Sequence, residues 1–199
     1  MQLYRSEISE KFENLFTQTI GLNESQFELV ISFFEREYLP RKFHYLKEGE
    51  ICKHITYINK GSTRTYIRND KGGEHILFFC FEDWFIGDLE SLHTQQPGKL
   101  NIQAIEDCEL LRISKKDMDH LESLFPALKE WHAAKQTKTH FTMLKRLAEV
   151  KALTPEERYL NLINTHPQIF QRVPLQFIAS YLDIEPPSLS RLRKRLSEK

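Results

Sequence analysis

Arg191, Arg193, Lys194 and Arg195 crowd together near the C-terminus, in the segment LQFIASYLDIEPPSLSRLRKRL that runs from Leu175 to Leu196. Ser188 and Ser190 come just before them. Residues 191–199 hold five cations, the last being Lys199, against one acid, Glu198. A helix with short hydroxyls at its start and cations beyond has the chemistry of a major-groove reader. The hydroxyls approach phosphates or base edges, and an arginine can fork onto a guanine. Ser188, Ser190, Arg191, Lys194 and Arg195 are therefore the candidate DNA contacts.

The elements around this set must hold it outward. Pro186 and Pro187 interrupt what otherwise reads as one amphipathic helix. Proline is tolerated in a first helical turn, where the N–H groups have no intrahelical partner. The prolines thus mark the start of a second helix, running to about Leu196, after a first over 175–182 and a turn over 183–185. Ile178, Leu182, Ile184, Leu189 and Leu192 then face one another across a corner, and Ala179 is small where the helices approach. This is the pattern of a helix-turn-helix. Asp183 stands where such a turn often has glycine, and Asp tolerates the left-handed conformation better than most residues. The competing reading is a plain helical corner whose basic end merely favours the helix dipole.

The rest of the chain divides in two. Residues 1 to about 38 carry helical periodicity, with Asn23 and Gln26 as a capping pair. From Leu39 to about Ile113, short β-rich runs are separated by turn residues such as Asn69-Asp70-Lys71-Gly72-Gly73, which predicts an antiparallel sandwich or barrel. RTYIRNDKGGEHILFF reads as a hairpin within it. Helix returns after Ser114, with a long helix from Pro126 to about Val150 and a capped start at Thr154-Pro155-Glu156-Glu157. Along the long helix, Trp131, Ala134, Phe141 and Ala148 form one apolar seam and Ala133, Leu144 and Leu147 another. Such a helix fits both a dimer interface and a core position.

Composition narrows the class. The chain has 199 residues, 40% of them hydrophobic, and a formal net charge of zero, so any basic patch is local. Apolar runs fall short of the roughly 20 residues of a membrane span, and the N-terminus lacks the apolar core of a secretory signal. Cys52, Cys80 and Cys108 are too far apart for a zinc site and read as reduced thiols of a cytoplasmic protein. No His-x-His pair, nucleophile triad or phosphate-binding glycine loop occurs, so catalytic residues, metal and cofactor are all expected to be absent.

In this order of elements, and in IASYLDIEPPSLSRLRKRL, DWFIGDLESLHTQQPG and NIQAIEDCELLRIS, the chain resembles the Crp/Fnr transcription regulators, in particular the divergent branch associated with Bacteroidetes. The resemblance covers essentially the whole length. It implies an α+β fold: an antiparallel β-roll like a cyclic-nucleotide-binding domain with flanking helices, a long dimerisation helix, and a C-terminal helix-turn-helix domain. The implied division is a sensor at 1–148, including the dimerisation helix at about 126–148, and a DNA-binding domain at 149–199. The implied partners are double-stranded DNA, a second copy of the chain, RNA polymerase and a small-molecule effector.

The family's ligand pocket maps onto Gly87, Asp88, Leu89 and Lys99. Relatives that bind cyclic AMP have a glycine-acid-leucine run and then an Arg-Ser or Arg-Thr pair whose arginine grips the phosphate. Gly87-Asp88-Leu89 matches the run, but the pair falls on Gly98-Lys99, so the arginine is missing. Lysine offers a point charge without a bidentate fork. Glu82, Asp83, Asp88 and Glu90 also make the neighbourhood acidic. The effector is therefore expected not to be cyclic AMP. His44, His54, His75 and His93 read as strand or surface histidines in place of haem ligands. The expectation is a DNA-binding regulator and not an enzyme; the alternative is a cupin-like binding module or enzyme with a structural helical C-terminus.

Overall fold

The computed structural model describes residues 3–197, and Glu198 and Lys199 of the basic tail lie outside the described residues. Helix α1 (Glu10–Asn14) starts on Ser9, whose Oγ accepts the Phe12 N–H at 3.2 Å, and runs into a π-type turn over Leu15–Thr19. Helix α2 (Glu24–Ser32) starts on the expected reciprocal cap: Asn23 Oδ1 accepts the Gln26 N–H at 3.0 Å and Gln26 Oε1 accepts the Asn23 N–H at 2.9 Å.

The helical region stops sooner than its periodicity suggests. Residues Glu35–Leu39 form strand β1, antiparallel to β8 (Cys108–Ser114), with Glu35 opposite Arg112 and Leu39 opposite Cys108. The cause is tertiary. Glu35 and Glu37 point to one side, where both accept from Arg112, at 3.0 and 2.7 Å. Arg36 points to the other and donates to Glu7 at 2.6 Å and Glu109 at 2.8 Å. Such cross-strand pairs favour the ladder over helix.

Two four-stranded sheets result. One has the order β1-β8-β3-β6, with β3 at His54–Lys60 and β6 at Phe85–Ile86. The other has β2 (His44–Leu46), β7 (Asn101–Ala104), β4 (Thr63–Arg68) and β5 (Glu74–Cys80), in that order. Tyr45 Oη from β2 meets Thr56 Oγ1 from β3 at 2.6 Å, which ties one sheet to the other. The opposite face of β3 and β8 buries Tyr57, Leu111 and Ile113 against Phe12, Phe16, Phe27 and Phe34 from the N-terminal segment. The Phe12 and Tyr57 rings stand 4.8 Å apart. Helix α4 (Lys115–Leu124) starts on Ser114, as expected, and the long helix α5 spans Pro126–Ala152.

By contact density the chain forms two compact units, residues 1–65 with 80–135, and residues 66–79 with 136–199. The second unit contains α6 (Pro155–Thr165), α7 (Ile169–Arg172), α8 (Leu175–Tyr181) and α9 (Pro186–Ser197). Its core gathers Tyr159, Leu162, Ile169, Val173, Ile178, Ala179, Leu182, Leu189 and Leu192. Within this unit Ser180 Oγ accepts the Ile76 N–H at 3.2 Å and donates to Glu74 O at 2.9 Å. β5 is an edge strand, so the hydroxyl satisfies backbone groups that no neighbouring strand meets.

Candidate nucleic-acid interface and sensor cradle

The corner between α8 and α9 is closed by backbone geometry. Asp183 adopts the left-handed conformation, φ 56°, at the glycine-like position read from the sequence. Its N–H donates to Ser180 O, and the next N–H, of Ile184, reaches back to Ala179 O; both bonds are 3.1 Å. This pair of bonds is a Schellman closure, which satisfies carbonyls that α8 would otherwise leave open. Helix α9 then begins at Pro186, as expected, and Ser188 N–H and Leu189 N–H both donate to Glu185 O. Ile178 and Ala179 are fully buried, Leu182, Leu189 and Leu192 nearly so, and Ile184 half-buried.

Helical rotation of about 100° per residue sorts the candidate contacts into two rows. Leu189 and Leu192 face the core, so Ser190 and Lys194, with Pro187, lie along the middle of the outward face. Ser188, Arg191 and Arg195 form a second row, turned toward the start of α6. They line an open cleft of about 770 Å³ with Thr154 and Glu156. Arg191 donates to Ser188 Oγ at 3.2 Å, and Arg195 forms an ion pair with Glu156. The structure thus brings the five predicted residues onto one helix. It also adds a carboxylate, Glu156, that the sequence reading treated only as part of a helix start.

A second unforeseen feature braces the same helices. The Arg146 guanidinium lies 3.4 Å from the centroid of the Tyr181 ring and donates to Tyr181 O, and the Tyr181 and Phe79 rings are 5.2 Å apart. Burial lowers the Arg146 pKa below the ordinary arginine value, while Tyr181 opposes that shift. Nothing in the local sequence signals this contact, because the partners are 35 residues apart.

The sensor cradle differs from its expected arrangement. Asp88 opens helix α3 (Leu89–Thr94) and is nearly buried; its Oδ1 accepts the Ser91 N–H at 3.1 Å, and its own N–H points at Cys52 Sγ, 3.4 Å away. Gly98 packs directly onto this carboxylate: a β-carbon on Gly98 would stand 2.2 Å from Asp88 Oδ2. Leu89 and Lys99 are exposed. The acidic run also disperses. Glu82 accepts the Gly61 N–H at 2.9 Å, and Asp83 accepts from Tyr57 Oη at 2.8 Å and Lys11 Nζ at 2.6 Å. The acids left at the start of α3 are Asp88, which serves as the helix cap, and Glu90, which is exposed in the first turn. Among the described residues no group of three His, Cys, Asp or Glu side chains is placed to hold a metal ion.

The apolar seam of α5 is divided. Trp131 packs on Phe85, with ring centroids 5.7 Å apart, and Leu128 is buried in the core of the first unit. Trp131, at the N-terminal end of its seam, thus packs within the first unit. Further along, Phe141, Met143, Leu144 and Leu147 are exposed.

Residues 36–123 match the cyclic nucleotide-binding domain family. Over 87 residues the chain is 31% identical to the cAMP-activated global transcriptional regulator CRP of Salmonella typhimurium, and equally to that of Klebsiella aerogenes; the match covers 44% of this chain and 41% of those proteins. The chain thus spans less than half the length of the curated relatives it matches. Among solved structures, the c-di-GMP responsive global regulator CLP of Xanthomonas campestris superposes with a TM-score of 0.71 at 18% identity, covering 88% of this chain and 92% of that one. FixK2 of Bradyrhizobium japonicum superposes with a TM-score of 0.70 at 14% identity, covering 83% and 85%. The chain therefore carries a cyclic nucleotide-binding-like domain followed by a helical C-terminal unit, an α+β fold consistent with the Crp/Fnr architecture.

Proposed function

We propose that the chain is a transcription regulator of the Crp/Fnr family that binds specific DNA sequences as a dimer, with residues 1–148 as sensor and 149–199 as the DNA-binding domain. The observation that carries this reading is the α8–α9 corner: a Schellman closure at Asp183, a buried apolar seam, and Ser190, Arg191 and Lys194 exposed on the second helix. That helix is the one that would enter the major groove, with Arg191 reading a base and the remaining cations meeting phosphates.

The exposed apolar face of α5, with Phe141, Leu144 and Leu147, supports pairing with a second copy. A two-fold pair would present two reading helices about 34 Å apart, one turn of DNA. The cradle supports a sensor that does not use cyclic AMP. The position matching the family's arginine is Gly98, packed against Asp88, and Lys99, next to it in sequence, is exposed.

A mobility shift with promoter DNA at two salt concentrations tests the reading. A regulator loses affinity steeply as salt rises, because each phosphate contact releases counterions. The absence of any salt-sensitive shift, including on the DNA upstream of the protein's own gene, favours a binding module whose C-terminal helices only pack.

A further inference from the structure

Helix α6 has a complete N-terminal cap without Glu156. Thr154 Oγ1 accepts the Glu157 N–H at 3.3 Å, and Glu157 Oε2 accepts the Thr154 N–H at 2.8 Å. Backbone and side-chain bonds from Thr154 hold the Glu157 carboxyl below the usual glutamate range, so the helix start already has its anion. Glu156 reaches instead across to α9 and pairs with Arg195. Both side chains keep solvent access, with one third of Glu156 and more than half of Arg195 exposed. The cleft between them is open and is also lined by Ser188, Arg191 and Glu185. Two guanidiniums on the reading helix thus share a cleft with two carboxylates, and one of these is already paired.

We infer that Glu156 sets the strength of DNA binding by competing with backbone phosphate for Arg195. The inference rests on the regulator reading above. A phosphate that reaches the Ser188–Arg191–Arg195 row must displace the Glu156 carboxylate or leave Arg195 where it is. An exposed ion pair is weak and screened by salt, so displacement is inexpensive yet measurable. Glu156 would thereby hold affinity below the ceiling that the basic helix could reach and reduce binding to arbitrary DNA.

The test is fluorescence anisotropy of the full chain on two labelled duplexes, one from the region upstream of its own gene and one of random sequence, over a range of salt. Glu156→Gln should bind both about threefold to tenfold more tightly at low salt, and the slope of log affinity against log salt should steepen by about 0.9, the signature of one added phosphate contact. In an Arg195→Ala background the same substitution should change neither quantity. A thermal melt of each variant verifies that it is folded. Unchanged or weaker binding by Glu156→Gln overturns the inference, as does an equal gain in both backgrounds, which would mark a diffuse charge effect. If the wild-type chain shifts with neither duplex, the regulator reading falls and takes the inference with it. If wild type binds and the variant gains nothing, only the inference falls.

Discussion

Asp88 and Gly98 close on each other: the Asp88 carboxylate caps α3 through Ser91 N–H and leaves its second oxygen where a side chain on Gly98 would have to start. Adding that side chain forces either the carboxylate or the loop that carries Gly98 to move. Gly98→Arg, which writes back the residue expected in a cyclic-nucleotide pocket, should therefore cost about 1–3 kcal/mol in urea unfolding. It should also leave the chain unable to bind cyclic AMP. The wild-type protein should show no rise in melting temperature with either cyclic AMP or cyclic GMP at concentrations that saturate a micromolar site. Micromolar affinity by calorimetry would overturn this account of the cradle.

Arg191 is exposed and flanks the outward row of α9, which makes it the base-reading candidate of the proposed regulator. Arg191→Ala should lose about 1–3 kcal/mol on a cognate site and relax the base preference at one position per half-site. Equal weakening on cognate and random duplexes would make it a phosphate contact. Pro187, on the outward row, has no hydrogen-bonding group in its side chain, so no base readout is expected from it.

Asp183 pays a conformational penalty at φ 56° that glycine would avoid. Asp183→Gly should change stability by less than about 1 kcal/mol, whereas Asp183→Val should destabilise by more, because a β-branched residue fits the left-handed region poorly. Replacing Pro186 and Pro187 with alanine should weaken amide protection over residues 183–192 and lower DNA affinity while the β-rich unit stays folded. Unchanged protection would leave the Schellman closure and its buried seam as sufficient to hold the corner.

Phe141 and Leu144 are both exposed on α5. If the chain pairs through this face as proposed, replacing each with aspartate should shift it to monomers in sedimentation, with little change in its melting transition at concentrations where both forms are monomeric. An unaltered dimer would place the interface elsewhere.

Cys80 is buried, and burial pushes its thiol pKa up to about 12 from an ordinary value of 9.0. It should resist iodoacetamide at pH 8 in the folded chain and react once the chain unfolds. The folded state keeps the thiol proton longer than the unfolded state. Its contribution to stability is thus complete below about pH 8 and falls as pH rises from the unfolded value toward 12. A midpoint in urea that falls less steeply across this range after Cys80→Ala than in the wild type isolates the contribution.

Features governed by nearest neighbours were determined by the sequence alone. The caps at Asn23, Ser114 and Thr154, the start of α9 at Pro186 and the left-handed Asp183 each follow from side chains within a few residues of the backbone groups they satisfy. The alternation of turn residues likewise announced a β-rich middle. Contacts between distant residues were decided only by the tertiary structure. Glu35–Leu39 became a strand because Arg112 and Glu109 lay opposite it. Trp131 is covered at its end of the α5 seam because Phe85 stands beside it. Asp88 became a cap packed against Gly98, and Glu156 became the partner of Arg195, because the folded chain brought together residues 10 and 39 positions apart. Helical and strand periodicity can show that a residue faces inward or outward, but the identity of its neighbour is set by the path of the whole chain.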